Sequence, residues 1–201
     1  MNLAVLKSTV AAYVHRDDRG TMDNLLNAVQ FAQNWIQQQF APQESNKLGS
    51  LTFAAASAGP WAEAPLPTGF GRFVVIQVAG SPALDYLDPR SFLERVAGPG
   101  IGNGFTIAGA AVLADASLVG VSALTNYILQ PTTLANDSDA NYLTTAYADA
   151  LVWAAVAEQH RFVQDWDQAD LAEGRAVALI KQYDNAHAAK QQSGGRLILR
   201  S

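Results

Sequence analysis

The chain contains no cysteine. That excludes a disulfide framework, a thiolate metal site and a thiol nucleophile. Charge is scarce: 15% of the 201 residues are Asp, Glu, Lys or Arg, against about 25% in an average soluble domain. No apolar run approaches the roughly 20 residues of a membrane span. The opening segment MNLAVLKSTVAAYVHRDD lacks a basic start and a long apolar core, so no signal peptide is expected. Apolar residues, by contrast, make up 49% of the chain, many of them alanine. So few charges solvate a monomer's surface poorly, and the composition predicts that other subunits cover part of it. The net charge of −5 argues against gripping DNA by neutralising its phosphates. It leaves room for a protein past which DNA slides.

Periodicity divides the chain in three. Leu3, Leu6, Val10 and Tyr13/Val14 fall at helical spacing and predict a first helix. HRDDRG breaks it, with Asp17, Asp18 and Thr21 as candidate N-caps for the next helix. Met22, Leu25, Leu26, Val29, Ala32, Ile36 and Phe40 form that helix's apolar stripe, which ends at Ala41-Pro42. From Leu48 to about Pro131 the period shortens. LTFAAA, RFVVIQVAG, GFTIAG, AAVLA and LVGVSALTNYILQP read as four or five strands of a small antiparallel sheet or barrel. DPRSFLERV reads as a short helix, with Asp88 as N-cap and Pro89 at its first position. Asp137, Ser138 and Asp139 then precede a third helix whose stripe runs from Tyr142 to Ala157. A fourth helix runs from Phe162 past His187, until Gly194-Gly195 stops it.

The expected fold is α+β. Residues 1–47 and 132–192 form a helical bundle from both chain ends, residues 48–131 a β insertion, and residues 193–201 an extended C-terminal tail. In the tail, Leu197, Ile198 and Leu199 are β-prone and need a partner. Arg196 and Arg200 flank them and can pair with carboxylates.

The chemical motifs fail in turn. GPGIGNG places Gly98, Gly100, Gly102 and Gly104 in alternation. The phosphate-binding patterns need a following Lys, or G-x-G-x-x-G opening a helix, whereas the strand-like FTIAG follows here. The loop reads as a flexible connection feeding a β-hairpin, with glycines that permit close approach to a neighbouring subunit. DSDAN begins like a calcium loop, but Tyr142 stands where glycine is required and Ala148 where glutamate is required. Asp165 and Asp167 lie on different helix faces, and His15, His160 and His187 share no metal-ligand spacing. No catalytic, cofactor or metal site is expected.

The C-terminal stretch LTTAYADALVWAAVAEQHRFVQDWDQADLAEGRAVALIKQYDNA resembles the helical pair of bacteriophage head-to-tail adaptor proteins. The matching features are the cap Asp137-Ser138-Asp139, the pair Tyr142-Leu143, the helix end Ala157-Glu158, and the F-x-x-D of Phe162 and Asp165. VAAYVHRDD, LDYLDPRSF, FTIAG and SGGRLILR are similar too, as is LPTGF, where Gly69 replaces the usual Asp. Ala148 stands where the family usually has proline.

The resemblance implies a homo-oligomeric ring, commonly twelvefold, bound beneath the portal protein of a tailed phage. Such a ring extends the channel through which double-stranded DNA passes without sequence-specific binding, and it docks tail or nozzle proteins. It implies a place in the virion neck after synthesis in the host bacterial cytoplasm, with no membrane partner. Residues 196–200 are then expected to bind the portal or a neighbouring subunit. Gly98, Gly100, Gly102 and Gly104 are expected to meet a tail component or a neighbour. The alternatives are a tail terminator or tube-associated ring and, in another class, a small virion-associated carboxylate hydrolase with two facing carboxylates.

Overall fold

Six α-helices and two β-sheets occupy the described residues (1–15, 19–40, 42, 45–98 and 100–193) of this computed structural model. The architecture is mixed α+β. The chain divides into two compact units, one of Met1–Ser45 with residues 131–201, the other of Asn46–Gln130.

The first unit holds α1 (Leu3–Val14), α2 (Arg19–Phe40), α4 (Tyr142–Ala146), α5 (Ala148–Phe162) and α6 (Trp166–Ser193). α5 is its centre. Ala150, Leu151, Val152, Ala154, Ala155, Val156 and Ala157 are all buried, because a helix apolar nearly all round is stable only when surrounded. α1, α2 and α6 surround it. They contribute Leu3, Leu6, Val10 and Val14, then Leu25, Val29, Ala32 and Ile36, then Ala172, Ala176 and Ile180. Alanine thus serves close helix approach rather than a bland surface.

The segment that re-enters this unit is tied down by polar groups. The first backbone N–H groups of a helix have no partner within the helix. Here Leu3 N donates to the Asp139 carbonyl at 3.0 Å and Ala4 N to that of Asp137 at 3.1 Å. Lys7 Nζ meets Asp137 at 2.6 Å. From α2, Gln30 Nε2 donates to the Leu134 carbonyl and Gln33 Nε2 to that of Thr132, at 2.9 and 3.3 Å. The Tyr142 hydroxyl donates to Gln37 Oε1.

Burial pushes the Tyr142 hydroxyl up to about 12. Burial, then the nearby Asp149 carboxylate, also raises Tyr183. Both folded-state values lie above the ordinary one, so their contribution to stability is complete below about pH 10 and lost as pH rises through the folded values. The helical circular dichroism is therefore expected to hold to about pH 10 and to fall between about pH 10 and 12. Tyr142→Phe should move that fall to higher pH, and an unchanged alkaline midpoint would count against this account.

The second unit pairs two sheets. One has the order β1 (Asn46–Thr52), β8 (Ser122–Leu129), β4 (Phe70–Val78), with both pairings antiparallel. The other has the order β2 (Ala54–Ala55), β3 (Trp61–Pro65), β7 (Ala111–Asp115), β6 (Gly104–Ala108), β5 (Asp85–Tyr86). Leu51, Ile76, Val78 and Ala123 of the first share one core with Ala62, Ala64, Phe105, Val112 and Ala114 of the second. α3 (Pro89–Val96) connects β5 to β6, which run parallel. Parallel neighbours need such a crossover, because a tight turn reverses the chain. Asp88 caps α3, its carboxylate accepting from the Arg90 and Ser91 N–H groups, and Pro89 opens the helix as expected.

Several expectations require correction. Among the described residues the strands number eight in two sheets, with a parallel β5–β6 pair in place of a wholly antiparallel sheet. The third helix is broken at Tyr147 (φ −124°, ψ 30°) into α4 and α5. Its cap is Asn141, whose side chain accepts from Leu143 N and Thr144 N. Asp139 instead accepts from Ala135 N and Asn136 N. The fourth helix begins at Trp166, and Phe162 closes α5 with its ring exposed, because Gln164 turns left-handed (φ 61°) between them. Thr21 lies inside α2 and is buried, so it is no cap. Asp17, Asp18, Gly194 and Gly195 lie outside the described residues.

Candidate functional site

The glycine run forms the connection from α3 to β6. Gly98 N and Gly100 N both donate to the Arg95 carbonyl, at 3.2 and 3.0 Å, so the chain curls over the end of α3. Gly100 (φ 101°) and Gly102 (φ 60°) have backbone angles that side chains disfavour. Ile101 between them is buried at 3% exposure. The N–H groups of Gly102 and Ile101 help to lower the pKa of the Asp115 carboxylate. That carboxylate also takes the Ser117 N–H at 2.9 Å. Its pKa lies below the ordinary value, through the Ser117 side chain and N–H first and the loop N–H groups after them. Backbone donors gathered this way form an anion cradle, and here the anion is the chain's own carboxylate. At its start the loop is held to α3 through the Arg95 carbonyl, and it feeds the β6–β7 hairpin.

The tail residues Arg196, Leu197, Ile198, Leu199 and Arg200 lie outside the described residues. The acidic positions of DSDAN do not converge. Asp137 pairs with Lys7, Asp139 closes a turn, and Asn141 caps α4. Asp165 accepts from Gln168 N at the start of α6 and faces His160 Nδ1 at 3.6 Å.

Two surface features escaped the sequence reading. One is the outer face of the three-stranded sheet, where Leu48 on β1 and Leu124 on β8 are 88% and 71% exposed. Leu124 pairs with Ser50 and Gln77, so Leu48 and Val75 are its diagonal neighbours. The signal was the spacing in LGSL: two leucines three apart on a strand point to opposite faces, so only one can enter the core.

The other is a groove of about 340 Å³ in the helical unit, between the end of α1 and the facing turns of α5 and α6. Val156 and Ala172 line it from the core, and Tyr13 and Leu171 are exposed at it. The Tyr13 and Trp153 rings lie 4.8 Å apart, and the Arg175 guanidinium lies 4.5 Å from the Trp153 ring centre. His15, which ends α1 in the left-handed conformation (φ 53°), and His160 complete the lining with Gln168. Sequence spacing left these histidines unrelated, and helix packing brings them to one groove.

No helix among the described residues is long and apolar enough to cross a membrane. The molecule so defined is a two-unit α+β protein with exposed leucines on one sheet face and, in its helical unit, an aromatic groove that carries Arg175. Residues 1–200 match the SU10 adaptor protein family, and the chain belongs to that family. This is consistent with a bacteriophage head-to-tail adaptor. No curated protein matches the chain.

Proposed function

We propose that this protein is a structural head-to-tail adaptor. It assembles as a ring, twelvefold, beneath the portal of a tailed phage, extends the DNA channel and docks the tail or nozzle proteins in the virion neck. Membership of the SU10 adaptor family across residues 1–200 carries this reading. The low charge content and the exposed Leu48, Leu124, Tyr13 and Leu171 side chains support it, since each gains by being covered in an assembly. The net charge of −5 suits a channel that DNA leaves without sticking. The role is structural and needs no catalysis.

In this reading the helices of residues 1–47 and 132–192 form the bundle that makes the side-to-side ring contacts, chiefly through α1, α2 and α6. In the β unit of residues 48–131, the loop of Gly98, Gly100, Gly102 and Gly104 meets a neighbour or a tail component. The tail, residues 193–201, packs on the portal or between adjacent subunits. Its three consecutive apolar residues, flanked by Arg196 and Arg200, gain only by meeting a partner.

Binding of the purified protein to portal rings, followed by sedimentation and electron microscopy, tests the reading. A chain lacking residues 193–201 is expected to remain soluble and folded and to lose portal binding at least tenfold. Unchanged affinity would remove the tail as the docking element. Binding to tail-tube rings but not to portals would favour a tail terminator instead.

A further inference from the structure

The groove between α1, α5 and α6 carries an inference of its own. Of the described cations in the helical unit, Lys7, Arg19 and Arg161 are each ion-paired to a carboxylate of the same unit, whereas the exposed Lys181 is not. Arg175 has no carboxylate within ion-pair distance among the described residues. It is placed over the Trp153 ring instead. A guanidinium held over an indole by cation–π attraction keeps N–H groups for a carboxylate. His15 and His160 add donors on the same lining, and no described lining residue is acidic. Among the described residues, the Asp165 carboxylate sits 3.6 Å from His160 Nδ1. Tyr13 and Leu171, exposed at the groove, match the apolar stem or flank of an incoming side chain.

We propose that this groove receives an acidic side chain of a second copy of the chain, with Arg175 as the bidentate partner and Trp153 as the aromatic face beneath its guanidinium. Charge complementarity selects the second copy. The chain carries 18 acidic against 13 basic residues, so a neighbour presents more carboxylates than cations to a groove whose described lining holds Arg175 and no acidic residue. This rests on the ring reading and adds a specific contact to it. The fork of an arginine fixes the approach angle of a carboxylate, which a ring interface needs in order to close.

The test is sedimentation velocity of the full chain over a concentration series, with melting temperature measured alongside. Arg175→Glu is expected to raise the concentration needed for self-association at least tenfold. Arg175→Lys, which keeps the charge and loses the fork, should fall between. Lys47→Glu, on β1 of the other unit, should leave association unchanged. An Arg175→Glu chain that associates like wild type overturns the proposal. A lowered melting temperature with association unchanged would overturn it too, assigning the groove to a carboxylate of the same chain such as Asp17 or Asp18. A wild-type chain that stays monomeric removes the ring reading, and with it the second copy as occupant. Whether the groove takes a carboxylate at all is then read separately, from the change in indole fluorescence on titrating phenylacetate into wild type and into Arg175→Glu.

Discussion

Replacing Tyr147 with alanine is expected to lower stability by about 3–5 kcal/mol, the range for deleting a buried aromatic ring. Tyr147 is among the largest fully buried side chains, at 1% exposure. It sits where α4 gives way to α5, so its ring fills space that two helix ends leave open. Its edge meets the Tyr183 ring at 5.6 Å and 87°. Its hydroxyl donates to Asp184 Oδ1 at 2.8 Å, tying the start of α5 to α6. A loss of this size is a large part of the 5–15 kcal/mol typical of a folded domain. Tyr147→Phe keeps the ring and deprives the half-exposed Asp184 of a donor, so about 1 kcal/mol is expected there. Denaturant unfolding followed by circular dichroism reads both variants. A Tyr147→Ala loss below about 1 kcal/mol would mean that the neighbouring helices collapse into the gap.

The position of Tyr147 also marks where sequence reading stopped. The apolar stripe from Tyr142 to Ala157 runs on at helical spacing, and no proline or glycine interrupts it. The break is set by tertiary contact: Asn141 anchors α4 to Gln33 and to the Thr132 carbonyl, and α5 must turn away to lie among α1, α2 and α6. The stripes of α1 and α2 were legible because each has one apolar face against one core. Leu3, Leu6 and Val10, then Leu25, Val29 and Ile36, are buried as their spacing predicts.

Strand β3, Trp61–Pro65, was invisible in sequence for a different reason. Alanine, glutamate and proline are poor strand formers. The strand exists because β7 pairs along its length and Ala62 and Ala64 fit a narrow part of the core. The two-residue strand β5 owes its existence to the parallel ladder with β6 alone. The groove was illegible in the same way. Tyr13, His15, Trp153, His160 and Arg175 lie on three helices, and only the packing of those helices unites them. The cap of α3 was legible because Asp88-Pro89 acts locally, within one turn.

Glycine-to-alanine exchanges should separate the pinned loop from an ordinary surface. At Gly102 (φ 60°) an alanine is forced into the left-handed region, which costs about 1–2 kcal/mol. At Gly100 (φ 101°) the conformation is rarer still, and about 1–3 kcal/mol is expected. At Gly104 the obstacle is space rather than torsion. A Cβ there would press on the Leu87 side chain and stand 3.1 Å from the Ile101 carbonyl oxygen, the group to which Gly104 N donates. Leu87 can rotate away, but the carbonyl belongs to the loop itself, so Gly104→Val should cost about 1–3 kcal/mol as an overpacked site. Gly174 makes the contrast. It lies within α6 with nothing within 4 Å of an added Cβ, so alanine there should stabilise by up to about 1 kcal/mol. Asp115→Asn keeps the shape and removes the charge that the loop N–H groups help to stabilise. Because its folded-state pKa is depressed, the stability that Asp115 adds is present above the ordinary carboxylate pKa and disappears as pH falls through the folded value. The gap between wild type and Asp115→Asn should therefore close in acid and stay open at neutral pH. If Gly100→Ala and Gly102→Ala melt with wild type while Gly174→Ala is stabilised, the loop bends freely and its N–H groups are not held on Asp115.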